Sequence, residues 1–225
     1  MDRNRINLTH VSQRLAERAH SVSSDFDLNP EVRDALPAMR KLRPAAVLVP
    51  LVQRGAGLNV VLTKRASNLR HHPGQIAFPG GKVDDTDADF RAAALREAQE
   101  EIGLPPDQVR ILAELNSHET VTQFRVTPVV AEIPPEFSAY PHEAEVEEVF
   151  EIPLDFLLNP INLQIHSRTW NGSQRYYYTI PYGPYYVWGA TARILKGLSD
   201  LLVQGWQLSR PNGWTPPRPR PFVGR

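Results

Sequence analysis

The feature that most constrains this chain is the stretch Phe78–Leu104, where a glycine turn and an acidic loop lead into a carboxylate-rich helix. With about 3.6 residues per helical turn, Glu97, Glu100 and Glu101 stand at i, i+3 and i+4 and share one face. Like charges at this spacing repel by only about 0.2–0.5 kcal/mol per exposed pair, which a solvated helix tolerates. The upstream glycines and acidic loop favour a cation site instead, because hard divalent cations need several converging oxygen ligands.

The composition excludes several classes of protein. The 225 residues carry 25 Lys+Arg against 25 Asp+Glu, so the chain lacks the net positive charge that would favour a nucleic-acid partner. The chain has no cysteine, which excludes a disulfide framework, a thiolate metal site and a thiol nucleophile. The first thirty residues lack the apolar core of a signal peptide, and no segment approaches the ~20 apolar residues of a membrane span. We therefore expect a soluble cytoplasmic protein without a membrane partner.

The two ends of the chain predict accessory structure. Apolar residues recur at helical spacing across residues 7–20, and Asn29 followed by Pro30 is typical of an N-cap and a first helical position. The C-terminal run Pro216–Pro221 favours an extended polyproline conformation, which cannot build a core. We expect two accessory helices and a flexible tail.

Apolar runs of strand length predict a sheet in the middle of the chain. The first two, at 45–52 and 58–63, flank the turn Arg54–Gly57 and predict a hairpin. Further predicted strands are 109–115, 126–133, 145–152, 164–170 and 174–180, and predicted helices are 154–158 and 187–204. Asn171-Gly172 predicts a hairpin turn between the last two strands, because both residues tolerate positive φ.

The acidic helix has marked boundaries and a polar segment ahead of it. Asp87 or Asp89 can cap its start, and Gly103 before a proline pair ends it. Residues 64–77 show neither helix nor strand periodicity, yet they hold three bases, two histidines and Gly74. This segment predicts a functional loop, with a solvated connection as the alternative.

Two other metal patterns fail on spacing. If Asp85 is position one of a calcium loop, Phe90 stands where that loop needs glycine and Arg96 where it needs a bidentate glutamate. His71-His72 are neighbours without a matching pair elsewhere, which is more typical of a surface or substrate loop than of zinc ligands.

The stretch from Gly81 to Leu104 resembles the Nudix box of the pyrophosphohydrolase superfamily. That pattern is a glycine, an acidic residue, then Arg-Glu-x-x-Glu-Glu-x-Gly and an aliphatic residue; here the acidic residue is Asp87 and the remainder is Arg96–Leu104. Family members usually carry glutamate at Asp87, and the eight residues from there to Arg96 are one more than usual. The resemblance implies an α/β (α+β) fold, the Nudix α/β/α sandwich with a mixed β-sheet.

A second set of motifs resembles the coenzyme A pyrophosphatase branch of this superfamily. They are Leu62–Ala66 after Val61 in place of the usual leucine, Arg70, Gly74, Phe78–Gly81, Val126–Val130, Glu145-Val146, Val149–Glu151, and Tyr186–Gly189 with Thr191. This branch also has the longer, aspartate-bearing loop, so the departure at Asp87 supports the resemblance. The similarity divides the chain into an N-terminal helical extension (1–43), a Nudix domain (44–204) and the tail (205–225).

The resemblance to this branch implies a reaction and a set of site residues. The reaction is hydrolysis of the diphosphate of coenzyme A or acyl-CoA to 3′,5′-ADP and 4′-phosphopantetheine, with Mg²⁺ or Mn²⁺ as cofactor. The expected metal ligands are Glu97, Glu100, Glu101 and the Gly81 carbonyl, with Arg96 fixing the rotamer of a glutamate. The expected substrate-binding residues are Arg65, Arg70 and Gly80. The two arginines suit this role because guanidinium groups bind phosphate oxygens bidentately.

Several alternatives stay open at this point. Catalysis is expected to involve Glu97 and Glu101, but the general base is either Glu97 or a later carboxylate, Glu143 or Glu145, with Glu119 less favoured. The substrate is coenzyme A or another nucleoside diphosphate compound such as ADP-ribose, NADH or a nucleoside triphosphate. A non-catalytic module that binds coenzyme A or a nucleotide is a further alternative, as is a homodimer.

Overall fold

The computed structural model describes residues 6–17, 22–37, 40–55, 57–170 and 172–203, and the backbone of 220–221. Three predictions fall partly or wholly outside these ranges: the end of the first helix at 18–20, Asn171 of the predicted turn, and most of the proline-rich tail. Within the described ranges, no helix is long and apolar enough to cross a membrane.

The chain forms five α-helices and thirteen strands within the described residues. The helices are α1 (Leu8–Glu17), α2 (Pro30–Asp34), α3 (Phe90–Ile102), α4 (Leu154–Leu158) and α5 (Gly189–Val203), with 3₁₀ turns at Pro106–Gln108 and Pro160–Asn162. The strands are β1 (Ser23–Ser24), β2 (Arg43–Arg54), β3 (Gly57–Arg65), β4 (Ile76–Ala77), β5 (Gly80–Lys82), β6 (Arg110–Glu114), β7 (His118–Glu119), β8 (Phe124–Ile133), β9 (Val146–Pro153), β10 (Gln164–Trp170), β11 (Ser173–Tyr182), β12 (Tyr185–Trp188) and β13 (Arg220–Pro221).

A mixed sheet of nine strands organises the fold. Strand β2 lies at its centre, parallel to β8 and antiparallel to β3, and β9 extends the sheet beyond β3. Side chains alternate along β2: Ala46 and Leu48 join a core with α3, whereas Val49 and Leu51 join the core on the opposite face with α1, α4 and α5. Helices therefore cover both faces, which confirms the predicted α/β/α sandwich with a mixed sheet.

Local signals fix the ends of α3. Asp89 is its N-cap, with its side chain accepting a hydrogen bond of 2.8 Å from the Ala92 amide, and Gly103 ends the helix in the left-handed region at φ 70°. Ala93, Ala94 and Ala98 form the buried face, and their small side chains let the helix lie close to the sheet. Of the two predicted caps, Asp89 is the one used.

The predicted hairpin of β2 and β3 is confirmed, as are β6, β8, β9, β10, β11 and α4. The predicted start of the final helix at residue 187 is wrong, because Tyr185–Trp188 pairs with β11 and α5 begins at Gly189, whose φ is +63°. Strands β4 and β5 were not predicted from the sequence, since runs of two and three residues are too short to show a period.

The N-terminal segment packs onto the main body. Val11 and Leu15 of α1 are buried in the core shared with α5, and β1 pairs in parallel with β7. Asn29 is the N-cap of α2 and Pro30 its first residue, as predicted, but the Asn29 side chain does not bond to the helix: its amide bonds to the backbone N–H and C=O of Tyr176, at 2.8 Å each. At the other end, β13 pairs with β10. The division of the chain at residue 44 stays a prediction.

Candidate active site

Two glycines bring backbone against the acidic helix. Gly80 and Gly81 open β5, which pairs with Ala46 and Val47 of β2. A Cβ at Gly80 would lie 2.5 Å from the Ala46 carbonyl oxygen, and one at Gly81 would lie 2.5 Å from the carboxyl carbon of Glu97. Position 80 therefore requires glycine, because a side chain there would displace the backbone of β2, whereas a side chain at Gly81 would displace the Glu97 carboxylate.

Glu101 is a buried carboxylate whose loss of hydration is offset by few favourable interactions. Its residue is 4% exposed, and one of its oxygens accepts a hydrogen bond of 3.1 Å from the Gly80 amide. The pKa of Glu101 is raised to about 8, mainly because burial penalises the charged form. The charges of Glu97 and Glu145 also raise this pKa, whereas the Gly80 hydrogen bond and the charge of Arg65 lower it. The carboxylate thus sits where a cation would stabilise its charged form.

Glu97 lies beside Glu101 on the same helix face. Burial raises its pKa, Arg96 partly offsets this effect, and the charges of Glu100 and Glu145 raise the pKa further. Within the described ranges, no three acidic or histidine side chains are already close enough to enclose a metal ion. The donor set nevertheless fits a hard divalent cation, because buried carboxylates that repel one another gain most from a shared positive charge.

Arg96 connects the acidic loop to the glutamates. Its Nε and Nη2 donate to the two oxygens of Asp87, and its Nη1 donates to Glu97 and Glu100 at 3.1 Å each. Nη2 also donates to the Lys82 carbonyl at 3.1 Å. Arg96 therefore does pair with glutamates as expected, but its two-point partner is Asp87. The Glu100 side chain is 56% exposed and turned toward Arg96.

Arg65 lies at the end of β3, close enough to Glu101 for its charge to lower the pKa of that carboxyl. Its Nε is buried and has no hydrogen-bond partner among the described residues. The following loop closes on Arg65, whose amide donates to the Gln75 carbonyl at 3.0 Å and whose carbonyl accepts from Gly74 at 3.1 Å. Arg70 lies on the exposed part of this loop.

The two candidate base residues occupy different surroundings. Glu145 is near enough to Glu97 and Glu101 to raise the pKa of both, and its carbonyl accepts a hydrogen bond of 2.9 Å from Ala66. Glu143 is exposed on the preceding turn, and no described contact joins it to the other carboxylates. The structure thus brings Glu97, Glu101, Glu145 and Arg65 together, whereas Glu143 and Arg70 lie apart.

A cavity of about 460 Å³ along β9 was not predicted from the sequence. Its lining includes Phe137, Ala139 and Pro141 from the loop between β8 and β9. That loop has no periodic pattern. Its only sequence signal for packing is the presence of apolar residues among turn residues. The Arg54–Glu151 pair at the cavity edge, with an N···O distance of 2.7 Å, was also missed.

Known proteins are similar to this chain in sequence and in fold. The NUDIX domain model matches residues 41–170. The uncharacterized Nudix hydrolase NudL of Enterobacter sp. (strain 638) is 47% identical over 162 residues, covering 70% of this chain and 81% of the relative. NudL of Cronobacter sakazakii is 49% identical with the same coverage. The NUDIX domain of Shewanella oneidensis NrtR, solved with ADP ribose, has 16% identity and a TM-score of 0.47, covering 77% of this chain and 98% of that one.

Proposed function

This chain belongs to the Nudix family of hydrolases, and on that premise we propose that it hydrolyses the diphosphate of coenzyme A or its thioesters. The products are 3′,5′-ADP and 4′-phosphopantetheine, or the acylated form of the latter. Members of the family act on nucleoside diphosphate derivatives and generally need a divalent metal ion. The coenzyme A substrate and the choice between Mg²⁺ and Mn²⁺ are the parts proposed here.

The observation that carries the proposal is the position of Arg65. This residue belongs to the motif Leu62–Ala66 that resembles the coenzyme A branch, and it lies next to Glu101 with a buried Nε that has no described partner. A buried donor without a partner costs about 1–3 kcal/mol, so the guanidinium would gain from turning this donor toward a bound oxyanion. A phosphate oxygen of the substrate diphosphate suits this position, because a guanidinium forms strong charge-assisted hydrogen bonds with phosphate.

The carboxylates have separate roles in the proposed reaction. Glu97 and Glu101 would hold the metal ion, with Glu100 and the Gly81 carbonyl completing the set. A bound divalent cation supplies charge neutralisation of the diphosphate and a lower pKa for a coordinated water. Arg96 holds Glu97 in place through Nη1, at 3.1 Å. Glu145, which lies near both Glu97 and Glu101, would accept the proton of the attacking water.

Incubation of the protein with coenzyme A and Mg²⁺ or Mn²⁺, followed by chromatographic separation of the products, tests the proposal. We expect 3′,5′-ADP and 4′-phosphopantetheine in equal amounts. Parallel reactions with ADP-ribose, NADH and nucleoside triphosphates measure selectivity. Cleavage of one of these while coenzyme A survives would overturn the substrate assignment.

The Glu101→Gln variant separates an enzyme from a non-catalytic binding module. We expect it to lose product formation while it remains folded, because one metal-holding carboxylate is gone. Tight binding of coenzyme A by the unmodified protein without any cleavage in Mg²⁺ or Mn²⁺ would instead favour the binding module.

A further inference from the structure

The cavity along β9 has the size of a ligand site. Its volume of about 460 Å³ falls within the roughly 300–1,000 Å³ of small-molecule pockets. One wall is the loop that carries Phe137, Ala139 and Pro141, and the floor is formed by Val61 of β3 and Val149 of β9. This floor belongs to the α3 face of the sheet, because both valines pack with the α3 core.

The wall of the cavity is tied to the catalytic end of α3. The Tyr140 amide donates to the Ile102 carbonyl and the His142 amide to the Glu101 carbonyl, at 2.9 Å each. Pro141, between these two residues, lines the cavity. The cavity wall is therefore anchored to the turn of helix that holds Glu101, which is the geometric basis for a ligand that extends from one to the other.

The cavity also lies along β9, the strand that begins one residue after the proposed base, Glu145. Glu147 near the start of β9 and Glu151 toward its end both line the cavity. The space thus extends along this strand in the direction that leads away from Glu145.

The charges around the cavity disfavour phosphate. Among the described residues, its lining holds three carboxylates, Glu147, Glu148 and Glu151, and one cation, Arg54; Lys64, outside the lining, pairs with Glu147 at 2.5 Å. Arg54 is already engaged, since its Nη2 donates to Glu151 at 2.7 Å and to the Phe137 carbonyl at 2.9 Å. Hydrogen bonds from Lys64 and Ser67 lower the pKa of Glu147, so that carboxylate is ionised at neutral pH. Since the cation of this lining is already paired, a phosphate would find no free cation among the described lining residues, whereas an uncharged ligand segment needs none.

We infer that this cavity receives the pantetheine arm of the substrate, the uncharged chain of two amides that ends in a thiol or thioester. The inference rests on the proposed function, because it needs a diphosphate substrate with such an arm. The other end of coenzyme A carries a 3′-phosphate beside the adenosine, and this lining, with exposed carboxylates and its cation already paired, suits that end poorly. Phe137, Ala139 and Val149 would contact the apolar parts of the arm.

The test compares coenzyme A with a substrate that lacks the arm, the methyl ester of 3′-phospho-ADP. Ala139→Leu narrows the cavity, and we expect kcat/KM for coenzyme A relative to the methyl ester to fall about tenfold, through KM. Ala35→Leu, at an exposed position near α2, is the matched control and should keep the wild-type ratio. The melting temperatures of both variants establish that they are folded.

A second variant keeps the inference testable if Ala139→Leu does not fold. Phe137→Ala enlarges the cavity, and we expect it to shift kcat/KM toward bulkier acyl-CoA substrates over free coenzyme A. An equal change for coenzyme A and the methyl ester in Ala139→Leu, or no shift among acyl chains in Phe137→Ala, would overturn the assignment of the arm. Absence of coenzyme A cleavage by the wild-type protein is a different outcome: it overturns the proposed function itself, and the inference with it.

Discussion

Arg96 holds Asp87 through two parallel hydrogen bonds, from Nε to Oδ1 and from Nη2 to Oδ2, each 3.0 Å long. The Asp87 side chain is only 5% exposed, and it also accepts a hydrogen bond of 2.8 Å from the Asp84 amide. The guanidinium lowers the pKa of Asp87, which keeps the carboxylate ionised. One residue therefore fixes both the loop ahead of α3 and the Glu97 carboxylate on it.

Replacing Asp87 by Asn should destabilise the protein and slow catalysis. An amide cannot accept both hydrogen bonds of the guanidinium, so Arg96 is left partly unpaired near the glutamates. We expect the free energy of unfolding, measured in urea, to fall by about 1–3 kcal/mol. Asp84→Asn is the control, because the Asp84 carboxylate is 62% exposed and 3.7 Å from Arg96; a change of more than about 0.5 kcal/mol there would contradict the special role of Asp87.

Gly81→Ala should reduce activity through Glu97. The new Cβ would lie 2.5 Å from the carboxyl carbon of Glu97, so the carboxylate must move away from its position. We expect weaker Mg²⁺ binding in calorimetry and a lower kcat. Gly57→Ala is a matched control, since no atom lies within 4 Å of a Cβ built there. Equal Mg²⁺ affinity in the two variants would argue against a role for Gly81 at the metal site.

The general base can be identified with a pair of variants. Glu145→Gln should lower kcat by about 10²–10⁴-fold, because the carboxylate near Glu97 and Glu101 can no longer accept a proton. Glu143→Gln, two residues away and exposed, should keep most of the activity. The opposite ranking of the two variants in pre-steady-state rates would move the assignment to Glu143, and full activity of both would favour Glu97.

The stability of the metal-free protein should depend on pH through Glu101. Its pKa is raised from 4.5 to about 8 in the folded state, so the folded protein binds a proton that the unfolded chain has lost. The stabilisation is complete below about pH 4.5 and is lost as pH rises toward 8. Urea unfolding in EDTA should therefore show a declining free energy of unfolding across this range.

Glu101→Gln should flatten that decline, since an amide does not titrate. Addition of Mg²⁺ near pH 8 should raise the melting temperature of the wild-type protein more than that of the variant. If the free energy of unfolding in EDTA declines equally with pH in the two proteins, a group other than Glu101 causes the decline.

Much of the fold followed from local patterns. Alternating apolar residues predicted β2 and β3, and Asp89 and Gly103 bounded α3, because caps and periodicity act between residues close in the chain. Distant contacts decided what local patterns could not. The side chain of Asn29, at the predicted N-cap of α2, bonds to Tyr176 and not to its own helix. The predicted helix start at residue 187 failed because Tyr185–Trp188 forms a strand whose hydrogen bonds β11 supplies.

The sequence by itself determined the helix that carries Glu97, Glu100 and Glu101, and the glycines that precede it, since spacing along one chain segment sets which side chains share a face. Only the tertiary structure decided which distant residues join them. Glu145, rather than Glu143, lies beside this face because Ala66 anchors its backbone, and Arg65 arrives at the end of a different strand. The burial that shifts the pKa of Glu101 likewise depends on packing between segments far apart in the chain.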